Sequence, residues 1–125
     1  MTRTTDDLSR AIGLLETLVG FDTESTRPNL ALIDHVETYL RGLGVATVRV
    51  PNAAGDKAAL HALIGPAADG GVVLSGHTDC VPVAGQEWTS DPFVLRRGDG
   101  KLYGRGACDM KGFDACCLAS VPAFL

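Results

Sequence analysis

The segment GGVVLSGHTD, residues 70–79, determines how we interpret the fold. Its two glycines are followed by the apolar run 72–74, which is typical of a strand buried on both faces. We therefore predict an inner strand there. His77 and Asp79 follow its carboxyl end, where open α/β sheets bind their ligands. The segment thus predicts an α/β fold with a functional site at this edge of the sheet.

Two amphipathic helices are predicted before this segment. Apolar residues recur at spacings of three and four across 7–19, and again from about residue 29 to residue 43. Asp6 is expected to cap the first helix. Pro28 and Gly44 flank the second helix, in agreement with the usual preferences at the two helix ends.

The hydrophobic period then changes from that of a helix to that of a strand. Apolar residues alternate across 46–50 and 59–64, which predicts two strands. Gly55 lies in the segment 52–57 between them, so a hairpin connection is expected there. The two strands should therefore pair with each other.

A long irregular stretch, residues 75–112, follows the predicted inner strand. Only two short strands are expected within it, at 93–95 and 102–103. A long irregular stretch in a compact domain is usually functional. The last segment, 113–125, is predicted to be a helix with an apolar stripe of Phe113, Cys117, Val121 and Phe124, a stripe that needs neighbours.

Composition and charge exclude several classes of protein. The 125 residues are 46% hydrophobic and 21% charged, as in ordinary globular domains. A net charge of -4 without a Lys or Arg run gives no surface for nucleic acid or an anionic membrane, so neither is an expected partner. Residues 1–10 lack the apolar stretch of a secretory signal, which predicts a cytoplasmic protein. We expect the four cysteines to be reduced, buried small hydrophobes: Cys80, Cys108, Cys116 and Cys117.

Two short motifs carry residues with metal-binding chemistry. A neutral histidine such as His77 is a good zinc ligand, and Asp79 could fix its tautomer through the second ring nitrogen. Asp109 lies in the glycine-rich sequence GRGACDMKG just before the last helix. Each motif alone is common, and Asp109 could instead cap that helix.

Other roles for nearby residues stay open. Cys80 and Cys108 could join His77 and Asp109 in a closed structural zinc site, although the spacing is not that of a zinc finger or ribbon. Two cations of the same region could bind a substrate carboxylate, but loop charges are more often solvated. They are Arg105 and Lys111.

Taken together, the two motifs closely resemble the N-terminal metal motifs of the dinuclear-zinc metallopeptidase family of acetylornithine deacetylases, succinyl-diaminopimelate desuccinylases and aminoacylases. The resemblance extends over residues 21–45, 64–79 and 82–93, which look most like the acetylornithine deacetylase branch. It implies a zinc-peptidase-like catalytic domain with a central mixed sheet flanked by helices. Residues 1–125 would be its N-terminal part, without the rest of that domain or the dimerisation domain.

The resemblance also implies roles for three residues. His77 would bind one metal, Asp109 would bridge two zinc ions (or cobalt), and Asp79 would act in catalysis by orienting the histidine. The peptide bond after Asp109 is expected to be cis. The general base and the remaining ligands have no match in this chain, so the chain alone is expected to be inactive.

The activity implied by the resemblance is metal-dependent amide hydrolysis. The substrate would be a small N-acyl amino acid, specifically N2-acetyl-L-ornithine, cleaved to ornithine and acetate in arginine biosynthesis. The full-length protein would be a homodimer. Two alternatives stay open: another acyl-amino-acid hydrolase such as the desuccinylase, and a non-catalytic metal-binding or interaction module.

Overall fold

The computed structural model describes residues 5–125. We number the helices and strands in chain order: α1 Thr5–Val19, α2 Leu30–Gly42, β1 Thr47–Pro51, β2 Ala58–Ala62, β3 Arg96–Gly98, β4 Lys101–Tyr103 and α3 Gly112–Ser120. An irregular turn, Ala107–Lys111, precedes α3, and a 3-10 turn, Val121–Phe124, follows it. The predicted α/β class is confirmed. The described strands form two antiparallel pairs, β1 with β2 and β3 with β4.

The first two helices lie where the hydrophobic period places them, with one correction. Asp6 lies inside the first turn of α1, so the prediction that it caps this helix is wrong. Its carboxylate is still favourable there because the helix dipole is positive at the N-terminus. α2 begins after Asn29 and ends before Gly44, whose φ of 79° is a conformation that favours glycine.

The hairpin predicted from the alternating segments is confirmed. β1 and β2 pair antiparallel, from Thr47 opposite Ala62 to Pro51 opposite Ala58. The connection turns at Gly55, which has a φ of 75°. Local pattern and turn chemistry are sufficient to determine this unit.

The predicted inner strand at 72–74 is wrong for this structure. Its three side chains are 86%, 88% and 63% exposed. Among the described residues, no backbone–backbone hydrogen bond involves the segment 65–78. An inner strand needs a partner on each side, and β1 and β2 pair only with each other within residues 5–125. The apolar run is present, but its partners are not.

The strand predicted at 93–95 is also displaced. The Phe93 amide donates to the Asp91 carboxylate at 2.9 Å, and the Val94 amide donates to the Asp91 carbonyl at 3.2 Å. These bonds form a turn, because an aspartate side chain competes for nearby backbone donors. The pairing begins later, at Arg96, and its second strand includes the predicted 102–103.

The core lies between the helices. It is built mainly from the buried aliphatic residues Leu14, Leu15, Leu18, Val19, Leu32, Ile33, Leu40, Ala115, Leu118 and Ala119. Tyr39 of α2 also donates a hydrogen bond to the Leu118 carbonyl of α3 at 3.1 Å. No helix within residues 5–125 has the length and apolar character needed to cross a membrane.

One side of this core opens into an apolar groove of about 1040 Å³ between β2, α2, α3 and the run 72–74. The predicted stripe of the last helix lies along it. Val121 is buried, whereas Phe113 and Phe124 remain 39% and 67% exposed. The stripe is therefore only partly covered by the described residues.

Candidate metal centre

The loop between α1 and α2 holds the segment that carries the predicted site. The Cys80 amide donates to the Thr23 carbonyl at 3.0 Å, and the Ser25 amide donates to the Cys80 carbonyl at 3.0 Å. The Thr23 hydroxyl also donates to the Thr78 carbonyl at 2.6 Å. These bonds fix the backbone immediately after His77.

His77 lies between the two predicted carboxylates. Its Nε2 is 2.9 Å from Asp109 Oδ1, and its Nδ1 is 3.0 Å from Asp79 Oδ1. Nδ1 is also 3.0 Å from the backbone carbonyl of Asp79. The predicted convergence of His77 and Asp109, with Asp79 behind the imidazole, is confirmed as geometry. Their roles as metal ligands and orienting group stay predictions.

Asp109 is presented by the turn Ala107–Lys111. Gly106, with a φ of 79°, precedes this turn, and the Asp109–Met110 peptide bond is cis, as the resemblance predicts. The alternative that Asp109 caps the last helix is wrong, because α3 begins at Gly112 and has no side-chain cap bond. The carboxylate instead extends into solvent, with 80% of the side chain exposed.

Lys111 anchors this turn to the core. It is completely buried, and its Nζ donates to the Phe21 carbonyl at 2.8 Å. Burial lowers the pKa of its ammonium group. Lys111 is therefore neither solvated nor available to a substrate carboxylate. Arg105 is also engaged, since its guanidinium lies 5.1 Å from the centroid of the Trp88 ring.

The charges around His77 determine its protonation. Burial lowers the pKa of the imidazole, but the hydrogen bonds and negative charges of Asp109 and Asp79 outweigh burial, and the net shift is upward. The hydrogen bond from Ser25 is the main reason that the pKa of Asp79 is lowered. At mildly acidic pH, protons would therefore compete with any metal for this imidazole.

The donor atoms fit part of a zinc site. A histidine nitrogen and a carboxylate oxygen are both zinc ligands. Within residues 5–125, however, no group of three or more His, Cys, Asp or Glu residues could hold a metal ion. The closed site with Cys80 and Cys108 is therefore not formed. The expectation that all four cysteines are buried is also wrong. Cys108 in the turn before α3 and Cys116 in α3 face solvent and are exposed.

Asp114 lies beside the site, with its carboxylate against Gly76. Burial raises the pKa of this group from 3.8 to about 6. Between these two values the folded state binds more protons than the unfolded state, so this contribution to stability is complete at low pH and is lost as pH rises through 6. Asp114→Asn, which stays neutral, should therefore stabilise the chain at pH 7 by roughly 1 kcal/mol, a value discounted for partial exposure.

The measurement is urea unfolding of Asp114→Asn and the parent chain between pH 4 and pH 7. The difference between them should grow as pH rises. Asp69→Asn makes the same change of charge at an exposed position and is the control. A difference that is constant with pH would contradict this prediction.

Comparison with known proteins first defines a class. Residues 73–125 match the family model described as Peptidase family M20/M25/M40. The chain is similar over most of its length to hydrolases of this family, and the resemblance predicted from the sequence is confirmed.

The individual relatives are more specific. The chain is 42% identical over 118 residues to an acetylornithine deacetylase of Myxococcus xanthus. This match covers 90% of this chain and 30% of the relative. It is 40% identical over 106 residues to an acetylornithine deacetylase of Pasteurella multocida, covering 84% of this chain and 28% of the relative. The chain thus spans less than a third of the length of these relatives.

A solved structure shares the fold. The crystal structure of human carnosine dipeptidase 1 matches with a TM-score of 0.70 at 28% sequence identity. The match covers 93% of this chain and 28% of that chain. The arrangement of helices and hairpins described above is therefore part of a larger known fold.

Proposed function

We propose that this chain is the N-terminal part of a metal-dependent amide hydrolase that acts on acetylornithine. The observation that carries the proposal is the position of His77, whose two ring nitrogens face Asp79 and Asp109 at 3.0 and 2.9 Å. The similarity to two acetylornithine deacetylases supports the choice of substrate.

In this proposal His77 and Asp109 would hold zinc. Asp79 accepts from the Nδ1 side of the ring, which leaves Nε2 as the donor toward the metal. The Asp109 oxygen already lies where it could share that metal with His77. Bound zinc would polarise the amide carbonyl of the substrate and make water more acidic.

The remaining features of the function are part of the same proposal. The two zinc ions would need further ligands and a general base from outside these 125 residues. The full-length enzyme would be a cytoplasmic homodimer that supplies ornithine to arginine biosynthesis. Its substrate would be a small N-acyl amino acid, without any nucleic-acid or membrane partner.

The choice between acyl substrates can be tested directly. A full-length protein that contains this chain is expected to hydrolyse N2-acetyl-L-ornithine with a kcat/KM at least about tenfold higher than for N-succinyl-diaminopimelate, because a pocket shaped for one acyl group discriminates by at least this factor. Release of the free amino group from each substrate gives the measurement. Preference for the succinyl compound would favour the desuccinylase alternative.

A further inference from the structure

Ser25 contacts the carboxylate that faces His77. Its hydroxyl donates to Asp79 Oδ2 at 2.7 Å, whereas His77 Nδ1 lies 3.0 Å from the other oxygen, Oδ1. Within residues 5–125, no other side chain donates to Oδ2. Each oxygen of Asp79 therefore has its own partner, and the two partners together fix the plane of the carboxylate.

Ser25 is itself held on both sides of its backbone. Its amide donates to the Cys80 carbonyl at 3.0 Å, and its carbonyl accepts from Lys57 Nζ at 2.5 Å. These two bonds fix the backbone from which the Ser25 side chain extends. The α1–α2 loop therefore fixes both the backbone next to His77 and the orientation of the Asp79 carboxylate.

We propose that Ser25 is a positioning residue for His77. By holding Asp79 Oδ2, it turns Oδ1 toward Nδ1, and so it directs Nε2 toward Asp109. This inference rests on the proposed metal centre but concerns a different residue, which lies in the α1–α2 loop. Because Ser25 acts through Asp79, its effect should depend on the presence of that carboxylate.

The direct test is zinc affinity, measured with the full-length protein by competition with a chromophoric chelator. Ser25→Ala is expected to raise the dissociation constant by about tenfold, the lower end of the effect of removing an outer partner of a metal ligand. Ser25→Thr keeps the hydroxyl and should stay within about twofold of the parent. The adjacent Thr26→Val is the matched control, since Thr26 is an exposed hydroxyl residue of the same loop.

A double-mutant cycle separates positioning from a general structural effect. In an Asp79→Ala background, Ser25→Ala should no longer change zinc affinity, and the visible absorption of the Co²⁺-substituted protein should be the same with and without Ser25. Circular dichroism verifies that each variant is folded.

Two results would overturn the inference. One is an unchanged dissociation constant in Ser25→Ala, and the other is a loss of equal size in the Asp79→Ala background. Equal zinc affinity of the parent protein and His77→Ala would instead refute the proposed metal centre itself. The two failures are therefore distinguishable.

Discussion

The 125-residue chain is expected to show no hydrolysis of N2-acetyl-L-ornithine, even with zinc or cobalt supplied. In the proposed metal centre His77 and Asp109 would supply two ligands, and within residues 5–125 no group of three or more His, Cys, Asp or Glu residues could hold a metal ion. The general base that the resemblance implies has no match in this chain, and its absence alone would remove typically 10²- to 10⁴-fold in rate. The measurement is acetate release by the purified chain beside a full-length protein that contains it.

His77→Ala in both proteins is the control for this prediction. In the full-length protein it should lower kcat/KM by more than about 100-fold, the upper end for residues that only support a ligand. In the isolated chain it should change nothing. Turnover by the isolated chain that disappears in His77→Ala would contradict the prediction, and would mean that a second copy of the chain completes the site.

Replacing Lys111 by alanine is expected to destabilise the fold by about 3 kcal/mol. The substitution empties a fully buried volume and leaves the Phe21 carbonyl without its donor. Removal of a buried charge offsets only part of this loss. Urea unfolding followed by circular dichroism gives the free energy.

Two variants sharpen this measurement. Lys111→Met keeps most of the volume and removes the donor, so its loss should be smaller than that of Lys111→Ala. Lys101→Ala changes an exposed lysine of β4 and should stay within about 0.5 kcal/mol of the parent chain. Equal stability of Lys111→Ala and Lys101→Ala would show that the buried amine contributes nothing.

The elements predicted correctly are those that depend on neighbours in sequence. α1, α2 and the β1–β2 hairpin follow from hydrophobic period and from the positions of Gly44 and Gly55. The strand prediction for 72–74 is wrong because a strand needs partner strands that lie far away in the chain. A pattern of apolar residues does not reveal whether those partners are present. The continuous apolar run therefore identified a suitable strand sequence without its sheet.

The candidate site divides in the same way. The meeting of His77 with Asp109 was expected from paired motifs that resemble a known family, since neither motif alone implies contact. The sequence gives no sign of a role for Ser25, and it predicts that Lys111 is solvated or binds a substrate carboxylate rather than being buried. Their partners, Asp79 and the Phe21 carbonyl, lie far away in sequence, and a serine in a loop or a lysine before a helix usually faces water. A glycine-rich turn beside a helix gives no signal that its lysine is buried.

The segment 65–78, which has no backbone–backbone hydrogen bonds to described residues, has a consequence for binding equilibria. Ordering the backbone of one residue costs roughly 1 to 2 kcal/mol. In the proposed metal centre, a cation bound by His77 and Asp109 would select the conformers in which residues 65–78 hold His77 beside Asp109. The observed dissociation constant of the cation would then equal the intrinsic constant divided by the fraction of molecules in those conformers. Substitutions that restrict the backbone of residues 65–78 would then tighten cation binding without adding a contact to the cation.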